Sequence, residues 1–198
     1  TSLDGNGITT DKTPYTMLVT VTDDEKGQLV ASYALENAAG KELLINNTYT
    51  ARPAPYALSG EKKLTGRPLL NDEFTFVLKE ISANGAQVTD PATYEVKNFL
   101  DGSFAFPEIV YREEGVYVYE VTEKQVQGES FGITYDRSVY TVTVTVTDNG
   151  QGSLIAEAKY EKDGQAATEL VFNNRYVAKP TSVVFTGDKD LTGKVNNT

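Results

Sequence analysis

Apolar and polar side chains alternate along most of this chain, and a period of two puts them on opposite faces of strands. The cleanest run is Tyr140-Thr141-Val142-Thr143-Val144-Thr145-Val146-Thr147. Glu73-Phe74-Thr75-Phe76-Val77-Leu78-Lys79 alternates with Val77 as the one exception, and Ser103-Phe104-Ala105-Phe106 obeys the same rule. Residues 116–123 alternate less cleanly, because Val116 and Val118 fall opposite Tyr117 and Tyr119. Asn84-Gly85, Asp101-Gly102, Asn149-Gly150 and Asp163-Gly164 punctuate these runs as turn signals. No segment has a helical period bracketed by helix start and stop signals. The pattern predicts an all-β chain of short antiparallel strands arranged as a β-sandwich.

Polar residues interrupt the apolar rows at a few positions. In Leu170-Val171-Phe172-Asn173-Asn174-Arg175-Tyr176, alternation groups Leu170, Phe172, Asn174 and Tyr176. It is therefore Asn174, and not Asn173, that sits among apolar neighbours and needs a partner there. The same oddity occurs in Leu43-Leu44-Ile45-Asn46-Asn47-Thr48-Tyr49, where Leu43, Ile45, Asn47 and Tyr49 share a face. In residues 58–65, Leu58, Gly60, Lys62 and Leu64 share a face, while Ser59, Glu61, Lys63 and Thr65 make the wet one. Glu123 continues the row of Tyr117, Tyr119 and Val121.

An inward Lys, an inward Asn and an inward Glu have an ordinary reading. Lys snorkels, a strand-end Asn caps a turn, and Glu pairs with Lys. They also have a chemical reading. Burial disfavours charge, so it leaves the lysine amine neutral and nucleophilic and the Glu protonated. Such a Glu polarises the Asn carbonyl and shuttles protons while the amine attacks and ammonia leaves. The product is an amide between two side chains, formed once and without turnover.

The chain resembles itself at a domain-sized interval. Gly7-Ile8-Thr9-Thr10-Asp11 parallels Gly132-Ile133-Thr134-Tyr135-Asp136, and Val19-Thr20-Val21-Thr22-Asp23 parallels Val144-Thr145-Val146-Thr147-Asp148. The Asn47-to-Asn174 offset is about 127 residues (174 − 47). Leu58-Ser59-Gly60-Glu61-Lys62-Lys63-Leu64-Thr65-Gly66-Arg67 parallels Phe185-Thr186-Gly187-Asp188-Lys189-Asp190-Leu191-Thr192-Gly193-Lys194 at the same offset. The expected organisation follows. Residues 1–49 read as the C-terminal part of one repeat, 50–55 as a linker and 56–176 as a complete repeat. Residues 177–183 read as a second Pro-containing linker, and 184–198 as the first strand of a further repeat. The simplest account is a piece of a longer tandem array.

Composition narrows the function classes. The 198 residues hold no Cys and no His, which removes thiol proteases, Ser-His-Asp hydrolysis and almost every zinc site. A formal net charge of −10 argues against nucleic acid and anionic membrane as partners. No apolar run approaches transmembrane length, and no signal peptide is evident. Asp23-Asp24-Glu25 and Asp148-Asn149-Gly150 read as hairpin turns more readily than as Ca²⁺ ligands. The sequons Asn46-Asn47-Thr48 and Asn196-Asn197-Thr198 read as chance. No metal and no cofactor are implied.

At four motifs the sequence resembles the streptococcal-type pilin isopeptide-linkage domain of Gram-positive shaft pilins and repetitive surface proteins. They are Lys62-Lys63-Leu64-Thr65-Gly66-Arg67 with Glu73-Phe74-Thr75-Phe76; Tyr117-Val118-Tyr119-Glu120-Val121-Thr122-Glu123; Gly132-Ile133-Thr134-Tyr135-Asp136 with Tyr140-Thr141-Val142-Thr143-Val144; and Phe172-Asn173-Asn174-Arg175-Tyr176. The resemblance implies an Ig-like, CnaB-like sandwich whose first and last strands are tied by a spontaneous Lys–Asn isopeptide bond. Carried over by position, the bond joins Lys62 to Asn174 and Glu123 catalyses it. Asn47 and Lys189 are then repeat equivalents of the linked pair, expected to stay unbonded for want of a Glu-bearing strand. The implied role is a structural stalk or shaft module, wall-anchored outside a Gram-positive cell, and no enzyme acting on external substrates. Its implied partners are neighbouring repeats, other pilin subunits or a host-surface ligand. The alternative is an adhesin domain that binds a host protein or glycan.

Overall fold

The protein is described here by a computed structural model covering residues 4–36, 43–126, 131–190 and 192–193. The described residues form strands and no helix. The first four strands are β1 (Ile8–Thr9), β2 (Thr16–Asp23), β3 (Leu29–Glu36) and β4 (Thr48–Tyr49). The main body begins with β5 (Ala54–Tyr56), β6 (Ser59–Thr65), β7 (Thr75–Ala83), β8 (Ala86–Gln87), β9 (Thr93–Lys97), β10 (Ser103–Ala105) and β11 (Ile109–Tyr111). It is completed by β12 (Gly115–Glu123), β13 (Ile133–Thr134), β14 (Val139–Asp148), β15 (Leu154–Lys162), β16 (Gln165–Ala167) and β17 (Leu170–Tyr176).

Two main sheets and the short antiparallel pair β5–β11 make the body. The larger runs β16-β15-β14-β12-β7-β8, with β9 also on β7, and the smaller runs β10-β6-β17-β13. Their inner faces meet through aromatic side chains. Phe76 of the larger sheet stacks on Phe104 of the smaller at 3.8 Å between ring centroids, and lies 5.3 Å from Phe172. Tyr140 meets Phe172 edge-on at 5.1 Å. The alternating rows supply this layer: Val142, Val144 and Val146 are buried along β14, as are Phe76 and Leu78 along β7. Each such side chain contributes roughly 1.5–3 kcal/mol when fully buried.

The expected hairpins are present. Asn84 and Gly85 (φ 52° and 78°) join β7 to β8, and Asp163 and Gly164 (φ 50° and 77°) join β15 to β16. Two consecutive left-handed residues give the turn whose twist matches the flanking strands. The Asp and Asn residues read as turn formers act as such. Asp148 Oδ1 accepts from Gly150 N, and Asp23 Oδ1 accepts from Glu25 N.

Within this antiparallel sandwich one strand pair is parallel. β17 pairs with β6 in parallel, Lys62 opposite Phe172 and Leu64 opposite Asn174. A hairpin enforces antiparallel pairing only on strands it connects. These two strands open and close their sheet, and over a hundred residues lie between them. The pair is tight at Gly60, where an added Cβ would lie 2.7 Å from the Leu170 Cβ and press on the Phe104 ring. Gly60→Ala is expected to destabilise the domain by about 1–3 kcal/mol through overpacking. A urea titration against wild type checks this.

Outside the body, β2 and β3 pair only with each other, and their side chains are largely exposed. The strand expected over residues 43–49 is reduced to β4, paired with the two-residue β1. An extended segment needs a neighbour along its length, and β1 is too short to serve residues 43–47. The β1–β4 ribbon abuts the turn after β14. Tyr49 Oη donates to the Asp148 carboxylate at 2.7 Å, and Arg52 N donates to Gly152 O at 2.9 Å. Residues 177–190 are in no strand. The sequon Asn196-Asn197-Thr198 and the end of the expected strand over 184–198 lie outside the described residues.

Candidate functional site

Three of the residues singled out by alternation meet in the core between the sheets. Lys62 on β6 is 2% exposed, Asn174 on β17 is 2% exposed and Glu123 at the end of β12 is 4% exposed. Their neighbours Lys63 and Asn173 are exposed, as the alternation requires. Asn174 is a diagonal neighbour of Lys62 across the parallel pair, a separation that a long side chain spans. Glu123 comes from the opposite sheet and bridges the two. Lys62 Nζ lies 2.7 Å from Glu123 Oε2, and Asn174 Nδ2 donates to Glu123 Oε1 at 2.6 Å.

The surroundings suppress charge. The Phe74 ring centroid lies 4.7 Å from Lys62 Nζ, and Tyr135 packs edge-on against Phe74. Burial pushes the Lys62 amine below its ordinary lysine value, although Glu123 partly offsets this. Burial likewise pushes the Glu123 carboxyl above its ordinary value, against the pull of Lys62 and Asn174. Both shifts favour a neutral amine beside a neutral acid over a buried ion pair.

Two further polar residues shape the pocket; the sequence showed Asp136 only as the end of a repeated motif and did not mark Asn98 at all. Asn98 is fully buried; its Oδ1 accepts from Phe74 N, and its Nδ2 donates to Leu70 O and Phe99 O. It thereby fixes the loop that carries Phe74 over the lysine. Asp136 N donates to Asn174 Oδ1 at 2.6 Å. Burial alone would raise the Asp136 carboxyl, but hydrogen bonds from Asn173 N and Ser138, with the charge of Lys162, hold it below the usual range. Neither residue lies on a strand, so period-two patterning gives them no signal.

Asn47 and Lys189 are not part of this cluster. Asn47 is exposed, and its Oδ1 accepts from Asp11 N at 3.0 Å. Lys189 is exposed in a segment without strand pairing. No group of His, Cys, Asp and Glu that could hold a metal ion occurs among the described residues.

Comparison with known proteins gives a family and a set of similar structures. A family model described as FctA, a Spy0128-like isopeptide containing domain, matches residues 1–50 and 58–177. No curated protein matches the chain. The major pilin from Streptococcus pyogenes is similar at 22% identity over 64% of this chain and 51% of that one, with a TM-score of 0.41. Two variants of that pilin, one with Glu replaced by Ala and one with Asn replaced by Ala, are similar at 22% and 21% identity. Each match has the same TM-score and covers 62% of this chain and 50% of the other. The chain thus spans about half the length of the pilin chains it matches.

Proposed function

Because this chain belongs to the family of Spy0128-like isopeptide containing domains, we propose that its central unit links Lys62 to Asn174 by an amide bond of its own making. We further propose that the unit serves as a shaft or stalk module of a pilus on a Gram-positive cell surface. The observation that carries the reading is Glu123, whose two carboxyl oxygens contact the Lys62 amine at 2.7 Å and the Asn174 amide nitrogen at 2.6 Å.

The chemistry follows from those contacts. Lys62 Nζ, neutral in its apolar setting, attacks the Asn174 carboxamide carbon, and the protonated Glu123 takes the proton that Nζ sheds on one oxygen while it gives its own proton to Nδ2 from the other. The tetrahedral intermediate collapses by breaking the carbon–Nδ2 bond. Nδ2, now protonated, leaves as ammonia. Glu123 ends as it began, one C–N bond replaces another, and the reaction runs once per chain.

The parallel pairing suits a load-bearing role. The chain enters β6 at one end of the pair and leaves β17 at the other, so tension along the chain shears the two strands past each other. A covalent tie between them would carry that load past the rest of the domain. With no cysteine in the chain, it would also stand in for a disulfide. Neighbouring repeats and pilin subunits are the partners this role implies. The adhesin reading has no comparable geometry behind it among the described residues.

Intact mass under denaturing conditions tests the reading. The expected result is a chain lighter than its sequence by one ammonia. A deficit of two would mean that Asn47 and Lys189 also react, and no deficit overturns the proposal.

A further inference from the structure

The Asn174 carboxamide is held at both ends. Its nitrogen faces the Glu123 carboxyl, and its oxygen takes the main-chain N–H of Asp136 at 2.6 Å. When an amine attacks a carboxamide, negative charge gathers on that oxygen, and a donor already in place stabilises it without reorganisation. Resting on the amide-forming reading above, we propose that the Asp136 main-chain N–H is the oxyanion donor of the reaction, and that the Asp136 side chain is the positioning residue that aims it.

The aim comes from a clamp between Asp136 and the strand that carries the asparagine. Asp136 Oδ2 accepts from Asn173 N at 2.8 Å, on the residue next to Asn174. Asp136 Oδ1 accepts from Ser138 N at 2.9 Å, which fixes the turn. Lys162 Nζ adds a contact at 3.4 Å to Oδ2. A carboxylate bound to the main chain of both segments holds one N–H against one side-chain oxygen.

A second, independent copy of the clamp exists. At the sequence-matched position, Asp11 N donates to Asn47 Oδ1 at 3.0 Å. Asn46 N donates to Asp11 Oδ2 at 3.3 Å, and Thr13 N donates to Asp11 Oδ1 at 2.9 Å. That copy is exposed and has neither the Lys-bearing nor the Glu-bearing strand beside it. The clamp therefore assembles from the Asp turn and the Asn strand alone, and is not a by-product of the Lys62–Glu123 pair. It presents an oriented carboxamide before the nucleophile arrives.

The test follows ammonia loss by intact mass from the moment of cell-free synthesis, in wild type and in Asp136→Ala, at a temperature where both are folded by circular dichroism. The expected result is a rate lower by about 10- to 100-fold in Asp136→Ala, the scale for a misaimed catalytic group. A variant as fast as wild type overturns the inference and leaves the amide-forming reading intact, whereas wild type that loses no ammonia overturns both. A second arm does not depend on Asp136→Ala folding. In a ¹⁵N-labelled Lys62→Ala chain, where Asn174 stays unreacted, the Asp136 amide proton is expected far downfield and to move upfield when Asn174→Ala is added. That shift reports whether this N–H meets the Asn174 oxygen, and an unmoved resonance overturns the inference.

Discussion

A chain carrying Asn174→Ala is expected to keep the full mass of its sequence and to unfold at markedly lower denaturant than wild type. A Lys62–Asn174 tie closes a loop of about 112 residues (174 − 62), which by chain entropy is worth roughly 4–5 kcal/mol if the disulfide model transfers. The lost hydrogen bonds, to the Glu123 carboxyl and from the Asp136 N–H, add to that effect. The neighbouring exposed Asn173 supplies the control: Asn173→Ala should still lose one ammonia and unfold near wild type. Intact mass with guanidinium titration reads both outcomes. An ammonia deficit that survives Asn174→Ala would place the bond elsewhere. An unchanged midpoint would mean that no such tie supports the fold.

Glu123→Gln is expected to have the second large effect. Glutamine fills nearly the same space and can still hydrogen-bond Asn174 and Lys62, but it cannot take the proton that the attacking amine must shed. Ammonia loss should stop. The stability loss should exceed that of Asn174→Ala by up to about 3–5 kcal/mol at neutral pH, because Lys62 then lacks its acid partner in the core. The pH dependence has a definite sign. Burial already lowers the Lys62 value in the folded state, and Glu123 is the main group opposing that shift. Removing the carboxyl lowers it further. Between the depressed folded value and the ordinary lysine value near 10.4, the unfolded chain binds more protons, so stability rises with pH. Urea midpoints of Glu123→Gln should therefore increase as pH rises toward the ordinary lysine value. A flat profile would mean that Lys62 is solvated in the variant and that the pocket does not exclude charge.

Much of the fold was legible because alternation is a local property. Along Leu170–Tyr176 it put Asn174 inward and Asn173 outward, and along Ser59–Thr65 it put Lys62 inward and Lys63 outward; the observed burial agrees at all four. On β12 the alternation was blurred at Val116 and Val118. There the pairing with β7 shifts register between Val118 and Tyr119, and a bulge of that kind breaks the period. The expected strand over residues 43–49 failed for a different reason. Leu43 to Asn47 have the right pattern but find no strand of matching length beside them.

The sequence by itself determined which side chains face inward and where the hairpins turn, and it singled out the three residues proposed to form the bond. Each of those is set by backbone direction and residue type within a few positions. Only the tertiary structure decided that β6 and β17 run parallel, that Glu123 reaches across from the other sheet to touch both partners, and that Asp136 lends its N–H to Asn174. The physical reason is that every residue but proline carries the same main-chain donor. Nothing local marks the one N–H that will meet a given oxygen. That choice is made when segments far apart in the chain are packed against each other.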